Sequence, residues 1–366
     1  DARMPPHERS LLQRWDLWGP PGALVFLGAV LSLPPLLPLR LLCVVALIAS
    51  VLAAVHHAEV VAHRTGEPLG TLVLALAVTA IETALILSMM LAGGEDKAVL
   101  PRDTIFAAIM IICNGVVGIC LLVGGLKHRE QSFRIEGANS GLAALIAMTV
   151  LSLVLPTFTT SAPGGYYTPA QLSFAAADSL VLWSAFIFVQ TVRHRDYFLP
   201  PEDRANEEAH AAPPSASAAW TSFGLLLVSL VAVVGLAKAL SPTIESVVDA
   251  AGAPRTVIGI AIALLVLLPE TAAAIRAARA DRLQTSLNLA VGSALASIGL
   301  TIPAVAVASV LLGMPLRLGL EGSDLVLLML TFLISAITFV NGRTNVMQGA
   351  VHLVVFAAFL FLALVP

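Results

Sequence analysis

Eleven apolar runs, separated by charged residues or by Pro- and Gly-rich breaks, fill this chain from near residue 21 to near residue 365. They lie near 21–38, 41–63, 69–92, 103–126, 138–156, 170–192, 219–240, 255–279, 285–312, 323–341 and 346–365; Pro34, Pro35 and Pro38 interrupt the end of the first. A helix that crosses a bilayer needs about 20 apolar residues at a rise of about 1.5 Å each, which is the scale of these runs. Charged residues make up 12% of the 366 and hydrophobic ones 58%, whereas a soluble domain keeps about a quarter of its residues charged. The expected fold is an all-α polytopic membrane protein of about 11 transmembrane helices, with the lipid bilayer as its partner.

Alternating the loops from an inside N-terminus places fourteen Lys and Arg on one side, among them Arg64, Lys127, Arg129, Arg134, Arg279 and Arg343. Arg40, Lys97, Arg102, Lys238, Arg255 and Arg317 fall on the other. The richer set belongs in the cytoplasm, so the N-terminus is expected inside and the C-terminus outside. Met4 reads as a natural start after the remnant Asp1 to Arg3, and no cleavable signal peptide is expected. Cys43, Cys113 and Cys120 lie in apolar runs and read as buried, reduced thiols. The net charge of −3 gives no reason to expect a nucleic-acid partner, and it leaves oligomeric state open.

Two segments align within the chain. "ALAVTAIETA" (75–84) and "ALLVLLPETA" (263–272) agree at six of ten positions, and "NGVVGICLLVGGL" (114–126) and "NLAVGSALASIGL" (288–300) agree at six of thirteen. The copies lie on the third and fourth runs and on the eighth and ninth, an odd offset of five spans that reverses their direction through the membrane. The organisation expected is residues 1–40 as a cytoplasmic N-terminus and extra first helix, 41–192 and 220–366 as inverted five-helix repeats, and 193–219 as a cytoplasmic linker rich in acidic residues, Pro and Ala. In that linker Glu202, Asp203, Glu207 and Glu208 read as solvated rather than as a divalent-cation sensor.

The aligned segments each carry a glutamate, Glu82 and Glu270, in the middle of an apolar run. An ionised carboxylate at the bilayer centre costs about 2.5–3.5 kcal/mol on insertion scales, and no Lys or Arg stands in the central part of any run. A cation or a proton is left to neutralise each one. A hard ion such as Ca²⁺ takes about six to eight oxygens. Candidates are the Leu265 carbonyl, which Pro269 deprives of its helical N–H, the side chains of Asn114, Asn288, Ser293 and Ser297, and the hydroxyls of Thr83 and Thr271. Glycines 115, 118, 124, 125, 292 and 299 would let helices approach closely. Such a pair of carboxylates resists standing empty and charged, so cation and proton displace each other and alternating access converts that competition into antiport. No resident cofactor is expected, only transported cations and H⁺.

The stretches "HHAEVVAHRTGEPLGTLVLALAVTAIETALI" (56–86), "ADSLVLWSAFIFVQTVRHRDYF" (177–198) and "LLPETAAAIRAARADRLQTSLNLAVGSALASIGLTIP" (267–303) resemble the Ca²⁺:cation antiporter superfamily, in its bacterial calcium/sodium–proton antiporter branch. The resemblance implies one N-terminal helix plus two inverted five-helix halves, Glu82 and Glu270 as the exchange carboxylates, and a bacterial inner membrane as location. Thr79-Ala80-Ile81 replace the Gly-Asn pair that many exchangers carry before the first glutamate, and Gly118-Ile119 stands where the second half has Gly292-Ser293. One side of the site is thereby poorer in oxygen, which keeps Na⁺ and K⁺ beside Ca²⁺ as substrates.

His56, Glu59 and His63 share a helical face near the cytoplasmic end of the second run, and with His57 they suggest a proton entry or pH-sensing group. Asp178 suggests an outer cation path, and Glu245 and Asp249 read as residues of an outer loop. "GRTNVMQG" (342–349) reads as a turn and nothing more. No HExxH, GxSxG or paired-aspartate motif is present, and "HHAEVVAH" has the wrong spacing for a metalloprotease, so catalysis is not expected.

Overall fold

The computed structural model describes residues 15–32, 37–66, 69–91, 97–199, 214–254 and 256–365. Arg3, Met4, Arg9, Arg14, Pro34, Pro35, Arg204, Arg255 and the acidic cluster Glu202, Asp203, Glu207 and Glu208 lie outside them. The helices are α1 (Trp15–Ser32), α2 (Leu37–Thr65), α3 (Leu69–Leu91), α4 (Leu100–Met110), α5 (Val117–His128), α6 (Ile135–Thr149), α7 (Leu155–Phe158), α8 (Pro169–Phe188), α9 (Ala216–Ala250), α10 (Thr256–Arg279), α11 (Leu283–Leu312), α12 (Ser323–Phe339) and α13 (Val346–Leu364). Wide π turns at Ile111–Val116 and Val150–Val154 join α4 to α5 and α6 to α7 into single spans, and a third at Val189–Arg193 extends α8. Among the described residues nine spans are long and apolar enough to cross a membrane, with shorter apolar helices at Asp16–Ser32 and Ser323–Phe339. Each of the eleven apolar runs thus falls on a helical span. The protein is an all-α polytopic membrane protein.

Helix ends follow local chemistry. Thr168 opens α8 with a capping box to Gln171 and Pro169 at the first helical position, where a missing N–H costs no bond. Asn345 opens α13 in the same way with Gln348, and Gly313 closes α11 at φ +64°, a conformation glycine adopts without strain.

The chain divides into two compact units, residues 1–92 with 212–246, and residues 93–211 with 247–366. In the first unit α2 packs on α1 and α3. The Cys43 thiol (3.9 Å to the Leu236 carbonyl) and the Ser88 hydroxyl (3.0 Å to the Val234 carbonyl) tie α2 and α3 to α9.

In the second unit α11 packs on α6, α8 and α10, α4 on α10, and α5 on α13. Small residues set the closest approaches. A Cβ on Gly299 would lie 2.5 Å from Trp183 Cβ, and one on Gly349 would lie 2.5 Å from the Leu122 nitrogen. Of the glycines singled out from sequence, 115, 118, 124, 125 and 299 face such contacts, whereas Gly292 faces open space.

The second unit also sorts its loops onto two faces. On one face Lys127 and His128 bond the Arg279 carbonyl, Gln131 bonds the Ala278 carbonyl and Asp281, and Gln131–Ser132 pairs antiparallel with Arg343–Thr344. On the other, the Arg317 amide bonds the Ala98 carbonyl, its guanidinium bonds the Gly164 carbonyl, and Tyr166 bridges to Arg317. Arg129, Arg134 and Arg282 belong to the first group of loops and Lys97, Arg102 and Arg317 to the second.

Two expectations are corrected. Glu245 and Asp249 do not lie in a loop: α9 continues through Pro242 to Ala250, and the Ser241 hydroxyl donates to the Glu245 carboxylate at 2.9 Å across the first turn after the proline. The turn after α12 is also more than a turn, since Arg343 and Thr344 form the short strand pairing above. We expect Gly299→Ala to destabilise the protein by about 1–3 kcal/mol, the range for forcing bulk into a packed contact, and Gly292→Ala to leave it unchanged, as read by thermal unfolding in detergent.

Candidate cation site

In the second unit Glu270 sits on α10 immediately after Pro269. Proline has no N–H, so the Leu265 carbonyl one turn earlier loses its helical partner and stays available as an oxygen donor. The Ser293 hydroxyl on α11 donates to Glu270 Oε2 at 2.7 Å. Ser297 is buried one turn further along the same face of α11, since residues four apart stack on a helix. The open space at Gly292 adjoins Ser293 in sequence, and Glu270, Thr271 and Ser293 all keep partial exposure. A carboxylate and a hydroxyl therefore meet between α10 and α11, on a helix whose proline frees a carbonyl one turn earlier, a donor set that suits a cation or a proton.

The two asparagines have different surroundings. Asn288 lies in the second turn of α11, where its amide nitrogen donates to the Phe198 carbonyl at 2.6 Å and its oxygen accepts from Gln284 at 2.9 Å. It seats the segment after α8 against the start of α11. Asn114 is fully buried in the π turn, midway along the span Leu100–His128. Its nitrogen donates to the Thr331 hydroxyl at 2.8 Å and its oxygen faces His352 Nδ1 at 3.2 Å. The structure thus brings Ser293 to Glu270, and gives Asn114 and Asn288 other partners.

In the first unit Glu82 is buried near the middle of α3, beside the half-buried Thr83. His57 is buried, and its Nε2 donates to the Asp16 carbonyl at 2.8 Å. Pro20 explains the bond: four residues on from Asp16, it has no N–H to offer that carbonyl, and His57 fills the vacant place. His56 meets the His57 ring edge-on with centroids 5.5 Å apart, while Glu59 and His63 are exposed.

Asp178 lies half-buried in the middle of α8. Its Oδ1 accepts from the Ser179 amide at 2.9 Å, and its Oδ2 is enclosed with no protein partner among the described residues. Tyr167, in the loop before α8, donates to the Leu151 carbonyl at 2.6 Å. Burial, with the Asp178 carboxylate a smaller cause, pushes its phenol up to about 12.

Not anticipated from sequence are His352 with Thr331 and Thr338, and the pair Arg102–Asp103, whose guanidinium Nη2 and Nε lie 2.7 and 2.8 Å from a buried carboxylate oxygen. A lone imidazole six residues into an otherwise apolar helix was the available signal for the first. For the second it was a charge pair at the N-terminus of a span.

An all-α membrane protein with a carboxylate and hydroxyl gathered in its interior defines an ion-translocating class. The chain belongs to the sodium/calcium exchanger protein family, whose profile matches residues 36–192 and 221–365. It is 49% identical over 318 residues to a Sinorhizobium fredii protein named as an ionic transporter, y4hA, covering 87% of this chain and 86% of that one. It is 35% identical over 336 residues to the sodium-potassium/proton antiporter ChaA of Escherichia coli, covering 91% and 90%, and 27% identical over 286 residues to the Ca²⁺/H⁺ antiporter of Aphanothece halophytica, covering 72% and 75%. Its fold matches the solved structures of YfkE (TM-score 0.71, 20% identity, 95% of this chain and 98% of that one) and of the H⁺/Ca²⁺ exchanger CAX (TM-score 0.71, 16% identity, 96% and 88%).

The His57–Asp16 bond carries its own test. His57→Leu leaves a buried carbonyl unpaired at the start of α1, and hydrogen–deuterium exchange over residues 15–32 should accelerate about tenfold, the factor for about 1.4 kcal/mol of local stability.

Proposed function

We propose that the chain is a secondary active transporter of the bacterial inner membrane that exchanges a cytoplasmic cation for protons by alternating access. Ca²⁺, Na⁺ and K⁺ are its candidate substrates. The observation that carries this reading is the Ser293 hydroxyl held on the Glu270 carboxylate one residue beyond a helix-interrupting proline, with Glu82 at the aligned position of the first half. Each carboxylate takes a cation or a proton, and the empty, doubly charged pair does not switch. Ser293, Ser297, Asn114, Thr83, Thr271 and the Leu265 carbonyl lend oxygens. Asn288 secures the start of α11, and Asp178, His56, His57 and Glu59 serve the ion or proton paths.

The match of the family profile to two stretches of similar length supports halves at 41–192 and 220–366 in inverted orientation, preceded by 1–40 and joined by 193–219. The basic face of the second unit supports a cytoplasmic N-terminus and a periplasmic C-terminus. A second reading, Na⁺(K⁺)/H⁺ exchange with little Ca²⁺ transport, is favoured by the 35% identity to an antiporter named for sodium and potassium.

Proteoliposomes with an imposed pH gradient and Ca²⁺, Na⁺ or K⁺ offered singly test both readings. Uptake against the cation gradient should follow the pH difference; uptake indifferent to it would mean a passive channel. Glu82→Gln and Glu270→Gln should each abolish exchange in protein that still elutes as a folded species. Ser293→Ala should weaken apparent cation affinity about tenfold, as expected for one hydrogen bond to a charged group. Undiminished exchange by Glu270→Gln would remove the central claim.

A further inference from the structure

His352 is fully buried on α13, six residues from its start, and both ring nitrogens are engaged: Nδ1 lies 3.2 Å from Asn114 Oδ1 and Nε2 lies 3.1 Å from Thr338 Oγ1. The hydrogen positions follow from the partners. The Thr331 hydroxyl gives its one proton to the Leu327 carbonyl at 2.7 Å, as threonines in helices do. It must then accept from Asn114, which puts the amide nitrogen at Thr331 and the amide oxygen at His352. An oxygen facing Nδ1 requires that nitrogen to carry hydrogen. Nε2 is left as an acceptor for the Thr338 hydroxyl. The donors therefore run in one direction, from Thr338 through His352 and Asn114 to Thr331 and Leu327.

The helices are built to make this contact. On either side of His352, Gly349 lies so close to α5 that an added Cβ would be 2.5 Å from the Leu122 nitrogen, and Phe356 closes over Gly115. Gly118 faces His352 itself at close range: an added Cβ would be 3.1 Å from His352 Cβ. The π turn that carries Asn114 is the one irregular stretch of its span, and such turns gather at functional positions.

We propose that His352 is a positioning residue of the exchange site, whose Nδ1–H locks the Asn114 amide in one of its two orientations. An asparagine amide is nearly symmetric in shape, and its two ends differ in what they offer a cation: the oxygen is a ligand, the NH₂ repels. With the Nδ1–H in place, the oxygen stays on the His352 side and keeps a second lone pair. Without it the amide turns over, and a cation meets NH₂ in part of the population. This step rests on the reading of Asn114 as a cation ligand.

The test separates the two. In proteoliposomes supplied with Ca²⁺, Na⁺ or K⁺ singly, His352→Leu should raise the KM for cation about tenfold, equivalent to about 1.4 kcal/mol, with kcat changed less than about threefold. His352→Asn, whose amide nitrogen can stand where Nδ1 stands, should recover to within about threefold of wild type; His352→Gln, which reaches the Nε2 position instead, should not. Nitrogen-15 spectra of the wild-type histidine rings should show His352 as the neutral Nδ1–H tautomer, and Thr338→Val should mix in the other. A His352→Leu KM within about twofold of wild type while Asn114→Ala is impaired would overturn the proposal and leave the Asn114 reading standing. Wild-type exchange by Asn114→Ala would overturn the parent reading. A wild-type Nε2–H tautomer would overturn the hydrogen-bond assignment even where a variant fails to fold.

Discussion

In hydrocarbon a backbone amide or carbonyl that loses its helical partner finds no water to replace it, so most of the described residues are in regular helix. The departures from regularity coincide with the polar chemistry. Pro269 releases a carbonyl one turn before Glu270, Pro20 releases one that His57 then occupies, and the π turn at Ile111–Val116 holds Asn114. The π turn at Val150–Val154 contains Ser152, which is bonded to Ser179 on α8. A proline or a π turn gives up part of the ladder locally, and at Asp16 the His57 side chain takes up the carbonyl that was released.

The regular parts hold these irregular ones in place. Glycine contacts bring α5 to α13 and α8 to α11 at backbone distance, where side chains of ordinary size would force the helices apart. At the ends of the second unit the loops are fastened by charge-assisted and backbone bonds, such as Arg317 to the Gly164 carbonyl and Lys127 to the Arg279 carbonyl. Charges at the faces, where water screens them and insertion is cheap, fix the spans end to end. That leaves the middle of the described spans mainly to uncharged hydrogen bonds, with Glu82, Asp178 and Glu270 as the carboxylates among them.

Most of the helical architecture was legible in the sequence, because a span in lipid must be a run of about 20 apolar residues and little else can interrupt it. α3, α8, α11 and α13 begin within two residues of the runs read for them. The pairing of Ser293 with Glu270 was legible as well, as two polar positions on consecutive helices. The end of α9 was not, since acidic residues after an apolar run read as a loop while Glu245 in fact continues the helix beneath Ser241. The His352 network was also hidden, because its members come from three spans more than 200 residues apart in their extremes. No local pattern records that Thr331 and His352 meet Asn114, or that Thr338 meets His352; only the packing of α12 and α13 on the π turn does.

The same limit applies to the internal alignment. It pairs Asn114 with Asn288, yet Asn114 lies midway along a 29-residue span while Asn288 lies in the second turn of a 30-residue helix. Equivalence in an alignment does not fix position along a helix, which depends on where the helix begins: the span of Asn114 begins at Leu100 and that of Asn288 at Leu283. A polar group near a helix end meets loop backbone, here the Phe198 carbonyl, and is held by it; one at mid-span meets only other helices and must be satisfied by side chains. Asn114 is accordingly satisfied by Thr331 and His352 from two other helices, whereas Ser293 on α11 reaches the Glu270 carboxylate directly.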